Sequence, residues 1–339
     1  MSIFPASGRP AATLLTLVAL TACSQDVTEP GRAPDAGGIS LLATSNTWTV
    51  RASMPTPRIR LKAATVNGII YAIGGFGYAP TAGTNLIRPK VEAYNSSTNA
   101  WTLKRSLPEP LEPTGVTTIN GKIYVAGGLS NERISKALYV YDPATNLWTR
   151  KADMPYTGTR FGGQQGAISG RLYVYLGVTT NPDGTVGPQR FLRYNPSTNT
   201  WATLKVPSFA RVGGVSGVFN GRLYLLGGQL RPGVGRAWDV HVYNPASGWS
   251  KLPLNPGALG GNRDLTYGTT GGKLYITGAW YADGWGHVDA VYNPATNTLA
   301  SLTAPSHYNR LYGAGAGANG QFYAIGGSTC EQVSGQEPC

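Results

Sequence analysis

The sequence predicts an all-β fold, a six-bladed β-propeller with four antiparallel strands per blade. Three observations predict it: a composition suited to strands and turns, a tyrosine-to-tryptophan unit that recurs along the chain, and a hairpin unit that recurs between its copies. The 339 residues include 46 glycines and 24 prolines, and only 13% are charged. An average domain has about 7% glycine and about 25% charged residues. Glycine and proline at this level oppose long helices. The chain still holds 41% apolar residues with 19 tyrosines and 8 tryptophans, enough for a core and against wholesale disorder.

Taken in chain order, the first element is an address. Arg9 precedes the apolar run Ala11–Leu20, which is too short to span a bilayer. A basic start, a short apolar run and small residues before a cleavage point describe a secretory signal over 1–22. Leu20-Thr21-Ala22-Cys23 resembles the lipobox of bacterial lipoproteins, which implies lipidation of Cys23. Residues 23–38 are polar and rich in Gly and Pro, a flexible tether. The expected location is the bacterial cell envelope, on an outer membrane facing periplasm or cell surface, with the lipid as the sole membrane contact. Cys330 and Cys339 stand in the tail 330–339, and an oxidising compartment favours their pairing.

The propeller occupies 39–329. Its first unit runs from a tyrosine to a tryptophan: Tyr94 to Trp101, YDPATNLW ending at Trp148, YNPSTNTW ending at Trp201, YNPASGW ending at Trp249, and YNPATNTL ending at Leu299. With Trp48 as the first copy, the spacings are 53, 47, 53, 48 and 50 residues. The second unit reads NGIIYAIGG (67–75), NGKIYVAGG (120–128), SGRLYVYLG (169–177), NGRLYLLGG (220–228), GGKLYITGA (271–279) and NGQFYAIGG (319–327). Asn-Gly between apolar runs marks a two-residue hairpin, because both turn positions need positive φ. The Gly-Gly pair admits a close backbone approach. Strands at 311–318 and 321–327 remain unpaired at one end, and strands near 39–43 and 47–52 at the other. They are expected to close blade six together, which protects their edges.

These units, repeated in phase over 39–329, resemble the kelch β-propeller family. The resemblance implies the fold, a structural role for the repeat tyrosines, tryptophans and glycines, and target binding on the face that carries the variable loops. Ten residues before each hairpin glycine stand Arg58, Leu111, Arg160, Arg211 and Arg310, with Arg263 one residue shifted in blade five. With a formal net charge of +12, these arginines are expected to form an anion-binding ring at the channel mouth. The same placement also fits arginines that tie the blades through carbonyl oxygens, and both readings stand at this point. Trp280, Tyr281 and Trp285 lie in an apparent loop of blade five, outside the repeat pattern. They offer flat faces to a sugar ring or a partner, or else pack on one another.

Catalytic signals are weak. Glu109, Glu112 and Asp264 near the expected mouth are candidates for a general acid or base. No metal-ligand spacing, nucleophile elbow or phosphate loop occurs, and no cofactor is expected. The basic residues form no runs, which argues against nucleic acid. The expected function is a monomeric binding module for an acidic glycan or a protein partner. The alternative is a sugar-modifying enzyme, an acidic-sugar epimerase or mutarotase similar to N-acetylneuraminate epimerase.

Overall fold

The computed structural model describes residues 14–17, 48–79, 84–130, 133–156, 163–177, 179–180, 186–208, 211–230, 239–253, 265–281, 285–302 and 310–329. The expected lipidation residue Cys23, the expected pair Cys330 and Cys339, and the predicted strand 39–43 lie outside them.

Each of five antiparallel sheets comes from one continuous stretch of chain, its four main strands paired in chain order. Blade one is Lys62–Val66, Ile69–Ile73, Val91–Asn95 and Ala100–Lys104. Blade two is Val116–Ile119, Lys122–Ser130, Arg133–Asp142 and Leu147–Lys151. Blade three is Gln164–Ile168, Arg171–Leu176, Arg190–Asn195 and Thr200–Leu204. Blade four is Val215–Phe219, Arg222–Leu226, Asp239–Asn244 and Gly248–Pro253. Blade five is Thr266–Thr270, Lys273–Tyr281, Trp285–Asn293 and Thr298–Ser301. The innermost strands, with Ala314–Ala318, contact one another in cyclic order around a central channel, which makes the fold an all-β propeller.

The hairpin turns follow their residues. Asn67, Asn120, Asn220 and Asn319 have φ between 47° and 49°, and the glycines after them between 69° and 76°, the geometry of a type I′ turn. The tyrosine-to-tryptophan unit joins neighbouring blades. Tyr94, Tyr141 and Tyr194 donate their hydroxyls to Oδ1 of Asn99, Asn146 and Asn199 at 2.7 Å. Each of those oxygens also accepts a backbone N–H of the preceding sheet, from Ala52, Arg105 and Ala152 at 2.9 Å. The indole N–H of Trp101, Trp148 and Trp201 donates to the carbonyls of the same three residues. Leu299 lacks that N–H and Pro253 lacks a backbone donor. There Asn297 donates its own amide to the Pro253 carbonyl at 2.8 Å, restoring the tie.

The closing sheet differs from expectation. Its order is Trp48–Arg51, Leu14–Leu17, Gln321–Ile325, Ala314–Ala318, two strands from each end of the chain. The place beside Trp48–Arg51, expected for 39–43, is taken by Leu14–Leu17 of the apolar leader, with Leu17 opposite both Trp48 and Phe322. Residues 14–17, expected to be removed with a signal, therefore lie within the fold instead of outside it. An open edge on Gln321–Ile325 accepts any short strand-forming segment that reaches it, and Leu-Leu-Thr-Leu is one. In the same sheet Ala314–Ala318 reads AGAGA. A Cβ on Gly268 of blade five would lie 2.8 Å from the Ala316 nitrogen, so only glycine permits this backbone-to-backbone contact.

Candidate functional site

The inner strands begin on the face that also carries the variable loops, and the expected arginine ring lies there. Arg58 and Arg211 are 2% and 1% exposed. Each reaches inward to its own blade rather than into the channel. Arg58 donates to the carbonyls of Gly74 (2.5 Å), Lys90 (2.9 Å) and Ala72 (3.4 Å) and pairs with Glu92 at 2.8 Å. Arg211 donates to Gly227 (3.0 Å), Leu225 (3.3 Å) and Asp239 (3.3 Å) and pairs with the Asp239 carboxylate at 2.5 Å. In both, the acceptors include the carbonyls 14 and 16 residues downstream. Burial pulls both guanidinium groups below their ordinary pKa, and the paired acids act against that shift. These two arginines are blade staples, which corrects their placement in an anion ring. Arg160 and Arg263 lie outside the described residues, and Arg310 opens a two-residue strand paired with Ser328–Thr329.

His241 is also buried beside this staple. Its Nδ1 accepts from Arg211 Nη2 at 3.2 Å, and its Nε2 lies 3.6 Å from Asp239 Oδ2. Burial, then the Arg211 charge, lowers its pKa from 6.5 to about 4.

The candidate acids divide. Glu109 accepts from Ser135 (3.0 Å) and Tyr139 (3.2 Å) and lies 4.0 Å from Arg133, which clamps the rim of blade two. Glu112 lies 3.7 Å from Arg60 Nη1. Asp264 lies outside the described residues. The segment around Trp280 and Trp285, read as a loop, continues the central strands of blade five, with Tyr281 paired to Trp285 at the hairpin end.

Sequence reasoning missed Arg60 and Tyr312. Each stands two residues after a repeat arginine, where blade four has Gly213 at φ 66°. Arg60 and Tyr312 adopt the same left-handed backbone at φ 54° and 62°. The Arg60 N–H donates to the Tyr312 carbonyl at 2.7 Å, and its guanidinium carbon sits 4.6 Å from the Tyr312 ring centroid. A cation on an aromatic face is attractive, yet left-handed φ is strained for a bulky residue. The signal in the sequence was partial: blades three and four have Gly162 and Gly213 at this step, whereas blade two has Pro113 and blade five has no glycine there.

Beneath the mouth, the channel encloses about 430 Å³ lined by all the inner strands. Lys62, Thr65, Thr118, Gln165, Ser216 and Thr269 are its main polar residues. Among the described residues no cluster of His, Cys, Asp or Glu could hold a metal ion, and no helix is long and apolar enough to cross a membrane.

The sequence model of the KLHDC2/KLHL20/DRC7 Kelch-repeats domain matches residues 40–228, more than half of the chain. Kelch-like protein terF of Aspergillus terreus is 32% identical over 51% of this chain and 39% of its own length. Kelch-like protein 35 of Mus musculus is 26% identical over 60% of this chain and 32% of its own. The match thus spans well under half of those relatives. The solved structure titled "Structure of YjhT" superposes with a TM-score of 0.63 at 18% identity, covering 81% of this chain and 92% of that one, a likeness of fold alone.

Proposed function

Because the chain belongs to the kelch-repeat family, whose propellers are typically protein-interaction modules, we propose that it is an exported binding propeller. Its partner, a protein or an acidic glycan, docks on the loop face around Arg60 and Tyr312. Cys23 carries the lipid anchor. The closing sheet counts as blade six, and in a chain cut before Cys23 the segment 39–43 supplies the strand beside Trp48. One observation carries the binding reading: two non-glycine residues kept at left-handed φ at the step where blade four uses Gly213. Such backbone strain gathers at functional sites, and here it presents a cation and a ring at the channel mouth. Arg88, Lys90, Arg133 and Arg190 on neighbouring loops favour an anionic partner.

The test places a photo-crosslinking amino acid at position 312 or, on the opposite face, at position 122. Both proteins are exposed to envelope fractions, and the wild type is applied to an array of acidic and neutral glycans. Arg60→Gly, which relieves the other left-handed residue, should keep or raise the melting temperature while abolishing the position-312 crosslink partner or the acidic-glycan signal. Equal crosslinking from both positions, with no acidic preference on the array, would refute the reading. Chemical conversion of an acidic sugar by the wild type would favour the enzyme instead.

A further inference from the structure

We propose that the axial channel is itself a binding site, separate from the docking face, for one small oxyanion that carries hydroxyl groups. Lys62 is the sole charged residue among those lining the cavity. It opens the inner strand of blade one, two residues from Arg60, at the end of the strand where the channel has its mouth. It is half-buried, and no ion pair reaches it among the described residues. A cation withdrawn from water without a counter-charge attracts an anion, and low-dielectric walls concentrate that field.

The polar lining fits the rest of such a ligand. Gln165 is 8% exposed, and its Nε2 donates to the Tyr124 carbonyl at 3.4 Å, while its Oε1 is buried without a protein partner. Thr65 Oγ1 is likewise buried and unpartnered. Buried polar atoms of this kind are normally satisfied by water or a ligand. Gln165 lies against Gly115 of the preceding blade, where a Cβ would come within 2.7 Å of its side chain. Thr118 and Ser216, whose hydroxyls donate to the Thr65 and Gln165 carbonyls and keep acceptor lone pairs, and Thr269 add oxygens from three further strands. A cavity of about 430 Å³ falls within the usual range for small ligands, about 300–1,000 Å³. It exceeds what inorganic phosphate alone needs and suits a hydroxy acid of up to about six carbons. No carboxylate lines the cavity, so cations are disfavoured.

The test titrates the whole protein with sodium phosphate, sodium gluconate or neutral xylitol at constant ionic strength and follows the melting temperature. A saturable rise with gluconate, stronger than with phosphate and absent with xylitol, is expected. A rise with phosphate alone would overturn the hydroxyl part of the assignment. Lys62→Met should weaken the response by about tenfold or more, as for loss of a charged hydrogen bond. Lys122→Met, on the opposite face, should leave it unchanged. Gln165→Glu, which places a carboxylate in the cavity lining, should abolish it and covers the case in which Lys62→Met does not fold. No saturable response in the wild type, or an unchanged one in a folded Lys62→Met or Gln165→Glu protein, overturns the proposal. Because the readout involves no macromolecular partner, its failure leaves the docking face untouched.

Discussion

Arg211→Met separates a staple from a ligand-binding arginine. The native guanidinium makes three carbonyl contacts and one carboxylate pair with the side chain fully buried. Methionine fills much of the volume but leaves those acceptors without their donor. An unpaired buried acceptor costs about 1–3 kcal/mol, and removing one member of a buried ion pair costs about 3–5 kcal/mol. The two figures count much of the same loss. Asp239 keeps Lys251 at 2.9 Å as a second partner, which holds the expectation at about 3–5 kcal/mol rather than the sum. For a chain of this size about 2 °C of melting temperature corresponds to 1 kcal/mol, so the midpoint should fall by roughly 6–10 °C. Near-ultraviolet circular dichroism of the blade tryptophans follows the transition. Arg133→Met is the control: its side chain is 79% exposed, and its effect should stay within about 0.5 kcal/mol. A fall of less than about 2 °C in Arg211→Met, or equal falls in both variants, would refute the staple.

Two further outcomes are expected. Asn199→Ala removes the acceptor for the Tyr194 hydroxyl and the Ala152 N–H and leaves alanine at φ 54°; urea unfolding should show a loss of about 2–4 kcal/mol. Asn199→Gly should lose about 1 kcal/mol less, because glycine accepts that backbone. Stability should fall with acid through one identified proton. His241 titrates near 6.5 when unfolded and at about 4 when folded, so its contribution is complete above 6.5 and declines as pH drops toward 4. The loss over that window is about 3 kcal/mol. Asp239, whose pKa is lowered in the fold, adds its own loss only further into acid. His241→Gln should flatten stability between pH 6.5 and 4, and an unaltered slope there would assign the titration elsewhere.

What the sequence made legible is local or periodic. Asn-Gly forces its turn through two backbone angles of adjacent residues, so those hairpins could be placed from sequence, and the Tyr-to-Trp unit set the order of the strands. The repeat also revealed that Arg58 and Arg211 occupy one structural position. It could not reveal which way they point. That depends on carbonyls of Gly74 and Gly227, which the hairpin folds back over the arginine, and on acids of the third strand, Glu92 and Asp239. Period identifies equivalence, whereas direction follows from where unsatisfied carbonyls lie. Arg60 and Tyr312 were overlooked for the opposite reason: the informative feature is a departure from the repeat, and a search for matching residues passes over it.

The closing sheet shows where pattern and pairing diverge. In the other sheets a tyrosine sits opposite the tryptophan or its replacement, as Tyr94 does to Trp101 and Tyr292 to Leu299. The residue opposite Trp48 is Leu17. Seven residues before Trp48, the spacing from Tyr94 to Trp101, the sequence has Leu41. Both positions hold leucine, so composition does not choose between them. Chain length does bear on it. Between Leu17 and Trp48 lie 30 residues, against the 6 between Tyr94 and Trp101. Closing the longer loop costs about 1.4 kcal/mol more in chain entropy, a small term beside the two ladders that Leu14–Leu17 makes. Ring closure in this propeller thus draws on segments from both ends of the chain, a property that no single repeat encodes.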